Sequence, residues 1–378
     1  MSRKAKESLR CGFTTGAAAA AAGVAAYRFQ VGKQLPERVD LLFPDGRIRE
    51  FKITASETGS AQVIKDAGDD PDITDKARIS ASFRFVEIGE LRPEDYVIDI
   101  GLGKLFLRGG AGVGLCRRRG LDCDEGKWAI NKVPRRMIAE NLKRAGFGKA
   151  EVCGLLTIEV ADGRNLARKT LNAKLGIEGG ISILGTSGIV YPYSHKAYIK
   201  TIAVLVKAVA ESGGREVVFC TGGRTLKAAQ IQLPQIPDEA FIRIGDFISA
   251  SLEEAAKARC KHPGLEHAVI ACMPGKLCKY AAGFSYTHAA SVAQTLMPLV
   301  EIVTELMRAD AALGGKIAHC ASVRQALSLL PDNIHQPALE KLTDAALSAL
   351  KEWAPTLSLR LLLYDYNGNL LVDRGYDC

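Results

Sequence analysis

The sequence predicts an α+β N-terminal domain followed by an α/β C-terminal domain with a mostly parallel sheet. Up to about residue 165, helical patterns are mixed with alternating strand patterns and hairpin signals. After residue 174 the chain repeats a unit of apolar strand, small-residue loop and helix, which is typical of parallel sheets with helical crossovers. The length of 378 residues is sufficient for two domains.

The N-terminal elements follow from local signals. Thr14 and Thr15 are the residue type that caps a helix, and an alanine row extends the predicted helix to about Phe29. Apolar periodicity predicts the other elements, namely a hairpin at 39–53, strands at 80–88 and 151–160, and an amphipathic helix at 134–145. We assign these elements to a domain over residues 1–174.

Three strand-and-loop units follow in the predicted C-terminal domain, residues 175–356. Their loops contain Gly185, Thr186, Ser187 and Gly188, then Gly222 and Gly223, then Gly275. Because parallel strands end at one edge of a sheet, we expect the three loops to meet there and to admit a ligand against bare backbone. Helical patterns at 194–211, 287–312, 323–330 and 339–353 follow, and residues 357–378 form a hairpin whose pairing the sequence leaves open.

Positive charge is concentrated in one segment. Residues 102–149 contain twelve Lys and Arg against four acidic residues, an excess equal to the net charge of +8 of the whole chain. Such a field indicates an anionic partner, either nucleic acid or a small polycarboxylate or phosphate, unless it is only a solvated face. Nucleic acid is disfavoured because the chain has no zinc finger and only 6% aromatic residues.

The remaining composition limits the class of protein. No apolar run is long enough to cross a bilayer, and residues 1–10 are basic without an apolar signal core, so we expect a cytoplasmic location and no membrane partner. The ten cysteines include no CxxC pair and are expected to be free thiols, and the six scattered histidines give no metal-site spacing. Lys276 follows Gly275 without the other residues of a phosphate loop, although it could still reach a carboxylate or phosphate.

Acidic residues cluster at 65–72. Asp66, Asp69, Asp70 and Asp72 repel one another unless a cation or water lies between them. They are either turn-forming residues or residues that contact a cationic cosubstrate or move a proton. The residues alone predict a two-domain protein with a small-ligand site, and they do not identify a reaction.

Five segments resemble the cobalt-precorrin-5B (C1)-methyltransferase family, CbiD, in family order. They are GFTTGAAAAA (12–21), VIKDAGDDPDIT (63–74), AINKVPRRMI (129–138), LARKTLNAKLGIEGGISILGTSGIV (166–190) and GKLCKYAAGFSYTH (275–288). The resemblance implies transfer of a methyl group from S-adenosylmethionine to carbon 1 of cobalt-precorrin-5B, giving cobalt-precorrin-6A in anaerobic cobalamin synthesis. Cobalt would enter only as part of the substrate.

The resemblance also gives the candidate residues a chemistry. The macrocycle has many carboxylates, so we assign its binding to Lys65, Asn131, Lys132, Arg135, Arg136, Lys276, Thr287 and His288. S-adenosylmethionine is assigned to the three glycine loops, and Asp66 and Asp69 to its sulfonium or a departing proton. The chain departs from the family pattern at Ala17, Ala18, Met273, Pro274 and Arg224. Two alternatives remain, a methyltransferase for another corrin intermediate and a non-catalytic tetrapyrrole-binding protein.

Overall fold

A computed structural model describes residues 9–56, 60–289, 293–307 and 311–375. Contacts between Cα atoms divide the chain into two compact units, residues 1–194 and 195–378. The division comes after residue 194 rather than 174 because Ile177–Glu178 pairs with Leu115–Cys116, and Ile189–Val190 pairs with Gly12–Phe13. Most of the basic segment predicted at residues 1–10, and parts of the helical pattern predicted at 287–312, lie outside the described residues.

The first unit mixes helices with several sheets. Its strands are β1 Gly12–Phe13, β2 Arg38–Leu42, β3 Ile48–Lys52, β4 Thr54–Ala55, β5 Ala61–Ile64, β6 Arg78–Val86, β7 Tyr96–Ile100, β8 Gly103–Gly109, β9 Leu115–Cys116, β10 Cys153–Val160, β11 Ile177–Glu178 and β12 Ile189–Val190. Its helices are α1 Thr15–Gly32, α2 Lys132–Arg144 and α3 Gly163–Ala167, with a 3₁₀ turn at Ile88–Glu90. The main sheet has the order β4-β5-β6-β10-β8-β7, and only β8 and β10 are parallel.

Helix α1 lies in the middle of this unit. Thr14 Oγ1 accepts a hydrogen bond from Ala17 N at 3.2 Å, so the predicted N-cap is confirmed. The alanines at positions 17–22 are fully buried, since methyl side chains let the helix backbone approach the sheet and α2 closely. A Cβ atom at Gly23 would lie only 2.9 Å from Leu156 on β10. The alanine row therefore allows α1 to pack closely against the sheet and α2.

The second unit contains the parallel sheet. Its strands are β13 Glu216–Cys220, β14 Phe241–Arg243, β15 His267–Cys272, β16 Ser358–Tyr364 and β17 Leu370–Gly375, in the order β14-β13-β15-β16-β17. Its helices are α4 His195–Glu211, α5 Gly223–Gln232, α6 Ile248–Lys261, α7 Pro274–Ala281, α8 Met297–Leu306, α9 Ala311–Ala318, α10 Val323–Ser328 and α11 Asp332–Lys351, with a 3₁₀ turn at Asp238–Ala240.

Four of the strands in this sheet are parallel, and β17 is antiparallel at one edge. The C-terminal hairpin predicted from the sequence is β16 and β17, and β16 pairs with β15. Strand β15 is buried from its second residue to its last, which explains its continuous apolar sequence. No helix among the described residues combines the length and the apolar character needed to cross a membrane.

Candidate functional site

Segments that are distant in the sequence meet at the start of α1. Phe13 N donates to Asp66 O at 2.7 Å, and Thr14 N donates to Gly188 O at 3.0 Å. Arg10 O accepts from Asp69 N at 2.9 Å. The acidic segment 65–72 and the loop 185–188 thus lie on either side of the chain that enters α1.

The first turn of α2 lies against the same place. Asn131 N donates to Ile183 O at 3.0 Å, which sets the start of α2 beside the residues that precede the loop 185–188. A Cβ atom at Gly16 would lie 2.6 Å from Pro134 Cγ, so α1 and α2 approach closely at their N-termini. Four of the five segments quoted above therefore meet within the first unit.

The loop 185–188 does not belong to the parallel sheet. Ile181 and Ile183 form only single parallel bridges, to Val113 and Ile130, and all four residues lie in the first unit. The prediction that three loops follow strands of one parallel sheet is wrong for this loop. A short apolar run followed by small residues looks the same whether its partners are in one sheet or another, because partner identity is a non-local property.

Internal packing explains the two glycines of this loop. Gly185 has φ +135° and Gly188 has φ +79°, conformations that favour glycine. A Cβ atom would lie 2.4 Å from Thr14 Oγ1 at Gly185 and 2.6 Å from the Phe43 ring at Gly188. Ser187 Oγ donates to Ile189 O and closes the turn locally. The glycines thus admit neighbouring protein side chains.

Asp66 and Asp69 are held by Arg10. The guanidinium donates to both oxygens of Asp66, at 2.5 and 2.9 Å, and Arg10 N donates to Asp69 Oδ2 at 2.6 Å. The hydrogen bond from Arg10 lowers the pKa of Asp66 to about 2. A carboxylate with so low a pKa is a weak proton acceptor near neutral pH. The geometry therefore supports a structural role for Asp66, paired with Arg10, and not a role as a general base.

Lys65 is also committed to the fold. Its side chain is only 1% exposed, and Nζ donates to Asp72 Oδ2 at 2.7 Å. Asp72 Oδ1 accepts from the Thr74 backbone and hydroxyl, both at 2.7 Å. Lys65 therefore holds the acidic segment closed and does not present its ammonium group to a ligand.

The basic residues of α2 are placed differently from one another. Lys132 and Arg136 are exposed, whereas the Arg135 side chain is 16% exposed, and its guanidinium lies 3.8 Å from the centre of the Tyr96 ring. Arg135 Nε is buried and has no hydrogen-bond partner in the described part of the chain. Beside them, a depression of about 300 Å³ is lined by Pro44, Val133, Arg136, Met137 and Glu140. This face presents two cations next to apolar side chains and one carboxylate, that of Glu140.

The other two loops share an edge of the second-unit sheet. Gly222 and Gly223 follow β13, Gly275 follows β15, and the two strands are parallel neighbours, so this part of the prediction is confirmed. From β13 the chain continues to β14 on one side, and from β15 it continues to β16 on the other. Loops that diverge in this way leave a crevice at the carboxyl ends of the strands, where α/β proteins bind ligands.

The glycines at this edge face open space. A Cβ atom at Gly222 or Gly223 would meet no described atom within 4 Å, and one at Gly275 would have only Gln294 Oε1 near it, at 3.6 Å. These glycines are therefore not required by internal packing, unlike Gly185 and Gly188. The first turns of α5 and α7 begin at this edge, and helix N-termini favour negative groups.

A charged cluster lies at the start of α7. Lys276 Nζ pairs with Asp246 Oδ1 and donates to Thr287 Oγ1 at 2.7 Å. Thr287 is buried, and its carbonyl accepts from Lys279 Nζ at 3.1 Å. Burial and the neighbouring Lys276 lower the pKa of Lys279. The structure thus brings together Lys276 and Thr287, which the sequence analysis assigned to the same ligand. Lys276 is, however, already paired with the Asp246 carboxylate.

The sequence reasoning missed Asp246 and the aromatic residues around it. Asp246 follows the short strand β14 and Gly245, which repeats the strand-and-small-loop pattern and could have been found by it. The Phe247 ring centre lies 5.2 Å from that of His195, 5.3 Å from Tyr198 and 5.1 Å from Tyr286. No local pattern joins these four residues, which we call the aromatic group. His288 is exposed and stacks on Tyr286 at 6.1 Å.

Known proteins are similar to this chain over most of its length. The model of the CbiD family matches residues 2–192. The cobalt-precorrin-5B C(1)-methyltransferase of Methylococcus capsulatus is 39% identical over 377 residues, covering 98% of this chain and 94% of that protein. The enzyme of the same name from Polaromonas naphthalenivorans is 41% identical over 331 residues, covering 86% and 84%. The crystal structure of the cobalamin biosynthesis protein (cbiD) from Archaeoglobus fulgidus is 29% identical and aligns with 72% of this chain and 80% of that one, with a TM-score of 0.38.

Proposed function

The chain belongs to the CbiD family, and we propose from this that it methylates carbon 1 of cobalt-precorrin-5B, with S-adenosylmethionine as the methyl donor. The observation that supports the reaction most directly is the 39% identity with the Methylococcus capsulatus methyltransferase over nearly the whole of both chains. The products are then cobalt-precorrin-6A and S-adenosylhomocysteine, and cobalt takes part only as a component of the substrate.

The chemistry of this reaction asks little of protein side chains. The sulfonium methyl group is already a good electrophile, and the conjugated macrocycle supplies a carbon nucleophile. The protein must align the carbon and the methyl group and exclude water, which can lower the barrier substantially without an acid, a base or a covalent intermediate. This agrees with the pairing of Asp66 with Arg10, which leaves that carboxylate unsuited to proton abstraction.

We place the macrocycle carboxylates on the basic face of α2. Lys132 and Arg136 are exposed there, and Arg136 lines the depression together with Val133 and Met137. A corrinoid offers both apolar ring surface and carboxylates, and this face offers apolar side chains and cations. Arg135, stacked on Tyr96, orients this turn of the helix and does not reach for the ligand. Lys65 is left out of the assignment because it is buried against Asp72.

The methyl donor is assigned to the sheet edge of the second unit. Gly222, Gly223 and Gly275 have open space beside them at a point where neighbouring parallel strands diverge. The loop 185–188 is not assigned to the donor, because contacts with Thr14 and Phe43 account for its glycines.

Incubation with isotope-labelled S-adenosylmethionine and cobalt-precorrin-5B tests the reaction. Label in the macrocycle at carbon 1 is expected, and label at another carbon would support a different corrin methyltransferase. Binding of the corrinoid without label transfer would identify a carrier and refute the proposed activity.

Replacement of Gly222 by Val tests the donor site. Because no described atom lies within 4 Å of the added Cβ, the variant should fold normally while its side chain occupies the crevice. We expect calorimetry to show at least about tenfold weaker binding of S-adenosylhomocysteine, an energetic cost that modest steric exclusion readily reaches. Gly264→Val is the matched control, since Gly264 is exposed, is also open, and precedes β15 at the opposite edge of the sheet. Equal affinity in the two variants would remove the donor from this edge.

A further inference from the structure

Asp246 is placed where a nucleoside's ribose would be recognised. Strand β13, helix α5 and strand β14 form a parallel β-α-β unit, with Cys220 opposite Arg243. Asp246 comes three residues after the end of β14, so it leaves the sheet at the same edge as Gly222 and Gly223. In dinucleotide-binding folds, an acidic residue about 20 positions after the glycine turn takes the ribose hydroxyls.

The hydrogen bonds of Asp246 leave one carboxylate oxygen to accept from a ligand. Lys276 Nζ and Thr287 Oγ1 both bond to Oδ1, and within the described residues no hydrogen bond is recorded to Oδ2. The Asp246 side chain is 24% exposed, which makes it accessible. Thr287 N also donates to the Asp246 carbonyl at 3.2 Å. The carboxylate is therefore held in place through Oδ1 and open at Oδ2.

The next residue provides an aromatic surface. Phe247 is at the centre of the aromatic group, with Tyr286 at 5.1 Å, and both side chains are partly exposed. A carboxylate for ribose hydroxyls next to a flat apolar surface for a purine matches the two halves of adenosine.

Resting on the proposed function, we propose that Asp246 accepts hydrogen bonds from the ribose hydroxyls of the methyl donor's adenosine, and that Phe247 and Tyr286 pack against its adenine. Lys276 and Thr287 are positioning residues, which hold the carboxylate through Oδ1. This gives Lys276 a role different from a direct grip on a substrate carboxylate. It also explains why a lysine beside the donor site is paired with an aspartate.

The test compares three ligands in two proteins. S-adenosylhomocysteine and its 2′-deoxy and 3′-deoxy analogues are titrated by calorimetry into the full-length wild type and Asp246→Asn. The wild type should bind at least one analogue about tenfold more weakly than the parent, since a charge-assisted hydrogen bond is lost. Asp246→Asn should bind the parent about tenfold more weakly and should discriminate little between the parent and that analogue.

Three controls keep the test decisive. Asp344→Asn, on α11, should behave as the wild type, because its carboxylate makes a weak 3.4 Å contact with Arg374 on β17. Phe247→Leu should weaken all three ligands severalfold and keep the discrimination among them, so a folding defect in Asp246→Asn does not leave the proposal unanswered. Circular dichroism and thermal unfolding verify that each variant is folded.

The outcomes separate the two proposals. If the wild type binds S-adenosylhomocysteine but Asp246→Asn discriminates as well as the wild type does, the role of Asp246 is refuted and the methyl-donor assignment survives. If the wild type does not bind S-adenosylhomocysteine, the donor assignment itself fails, and the role of Asp246 fails with it.

Discussion

Gly188 offers the sharpest test of why the loop 185–188 is built from small residues. Gly188 and Gly179 have nearly the same left-handed conformation, with φ of +79° and +83°. Their surroundings differ, since a Cβ atom at Gly188 would lie 2.6 Å from the Phe43 ring, while one at Gly179 would meet no described atom within 4 Å. Comparing Gly188→Ala with Gly179→Ala therefore isolates the steric contact from the backbone strain.

The structure allows the two costs to be estimated. Placing alanine in the left-handed region costs roughly 1–2 kcal/mol, and this applies to both variants. Gly188→Ala should lose about 1–3 kcal/mol more, because the buried Phe43 ring has to move to admit the methyl group. In a unit of this size that difference corresponds to a Tm lower by about 2–12 °C.

Scanning calorimetry of the full-length variants measures the difference directly. We expect both variants to unfold below the wild type and Gly188→Ala to unfold first. At temperatures where it is folded, Gly188→Ala should still bind S-adenosylhomocysteine as the wild type does. Equal Tm losses in the two variants would refute the packing argument, and weaker binding by folded Gly188→Ala would return this loop to the donor site.

Two further predictions concern charge. Arg10 holds the pKa of Asp66 at about 2, below its ordinary value of 3.8, so the pair stabilises the fold above about pH 4 and this contribution is lost as the pH falls from 4 towards 2. Arg10→Ala should raise the pKa of Asp66 in a carbon-13 NMR titration, and an unchanged pKa would contradict the pairing. The variant should also lose less stability than the wild type between pH 4 and 2, by a modest amount because both side chains are exposed. Arg136→Ala should weaken corrinoid binding severalfold and make it less dependent on salt, whereas Arg144→Ala, at the other end of α2, should not. If the two substitutions weakened corrinoid binding equally, the effect would come from the overall positive charge of the protein and not from a contact with Arg136.

Local patterns predicted most elements of the fold. The N-cap at Thr14, the amphipathic helix α2 and the alternating strand β10 were found within a few residues of their observed bounds. Each depends on side chains within one or two turns of one another, which periodicity and capping residues report directly. The loops after β13 and β15 were found for the same reason.

Other features depend on contacts between distant parts of the chain. Thr15 Oγ1 donates to Ser182 O across 167 positions, and contacts of this kind assign residues 181–190 to the first unit. The pairing of Asp66 with Arg10 likewise follows from how the chain enters α1, and the burial of Lys65 follows from the packing around it. The sequence showed that these residues are charged, but it could not show that other side chains of the same chain pair with them.

The sequence by itself determined the family, the parallel arrangement of the second-unit sheet, and the glycines that follow two of its strands. Only the tertiary structure decided which glycine loop belongs to that edge and which is closed by Thr14 and Phe43. It also decided that Asp246 leaves the sheet at the same edge as Gly222, while Lys65 is buried. The physical reason is that a glycine, a lysine or an aspartate has the same local signature in either role, and its role depends on the neighbours that folding brings to it.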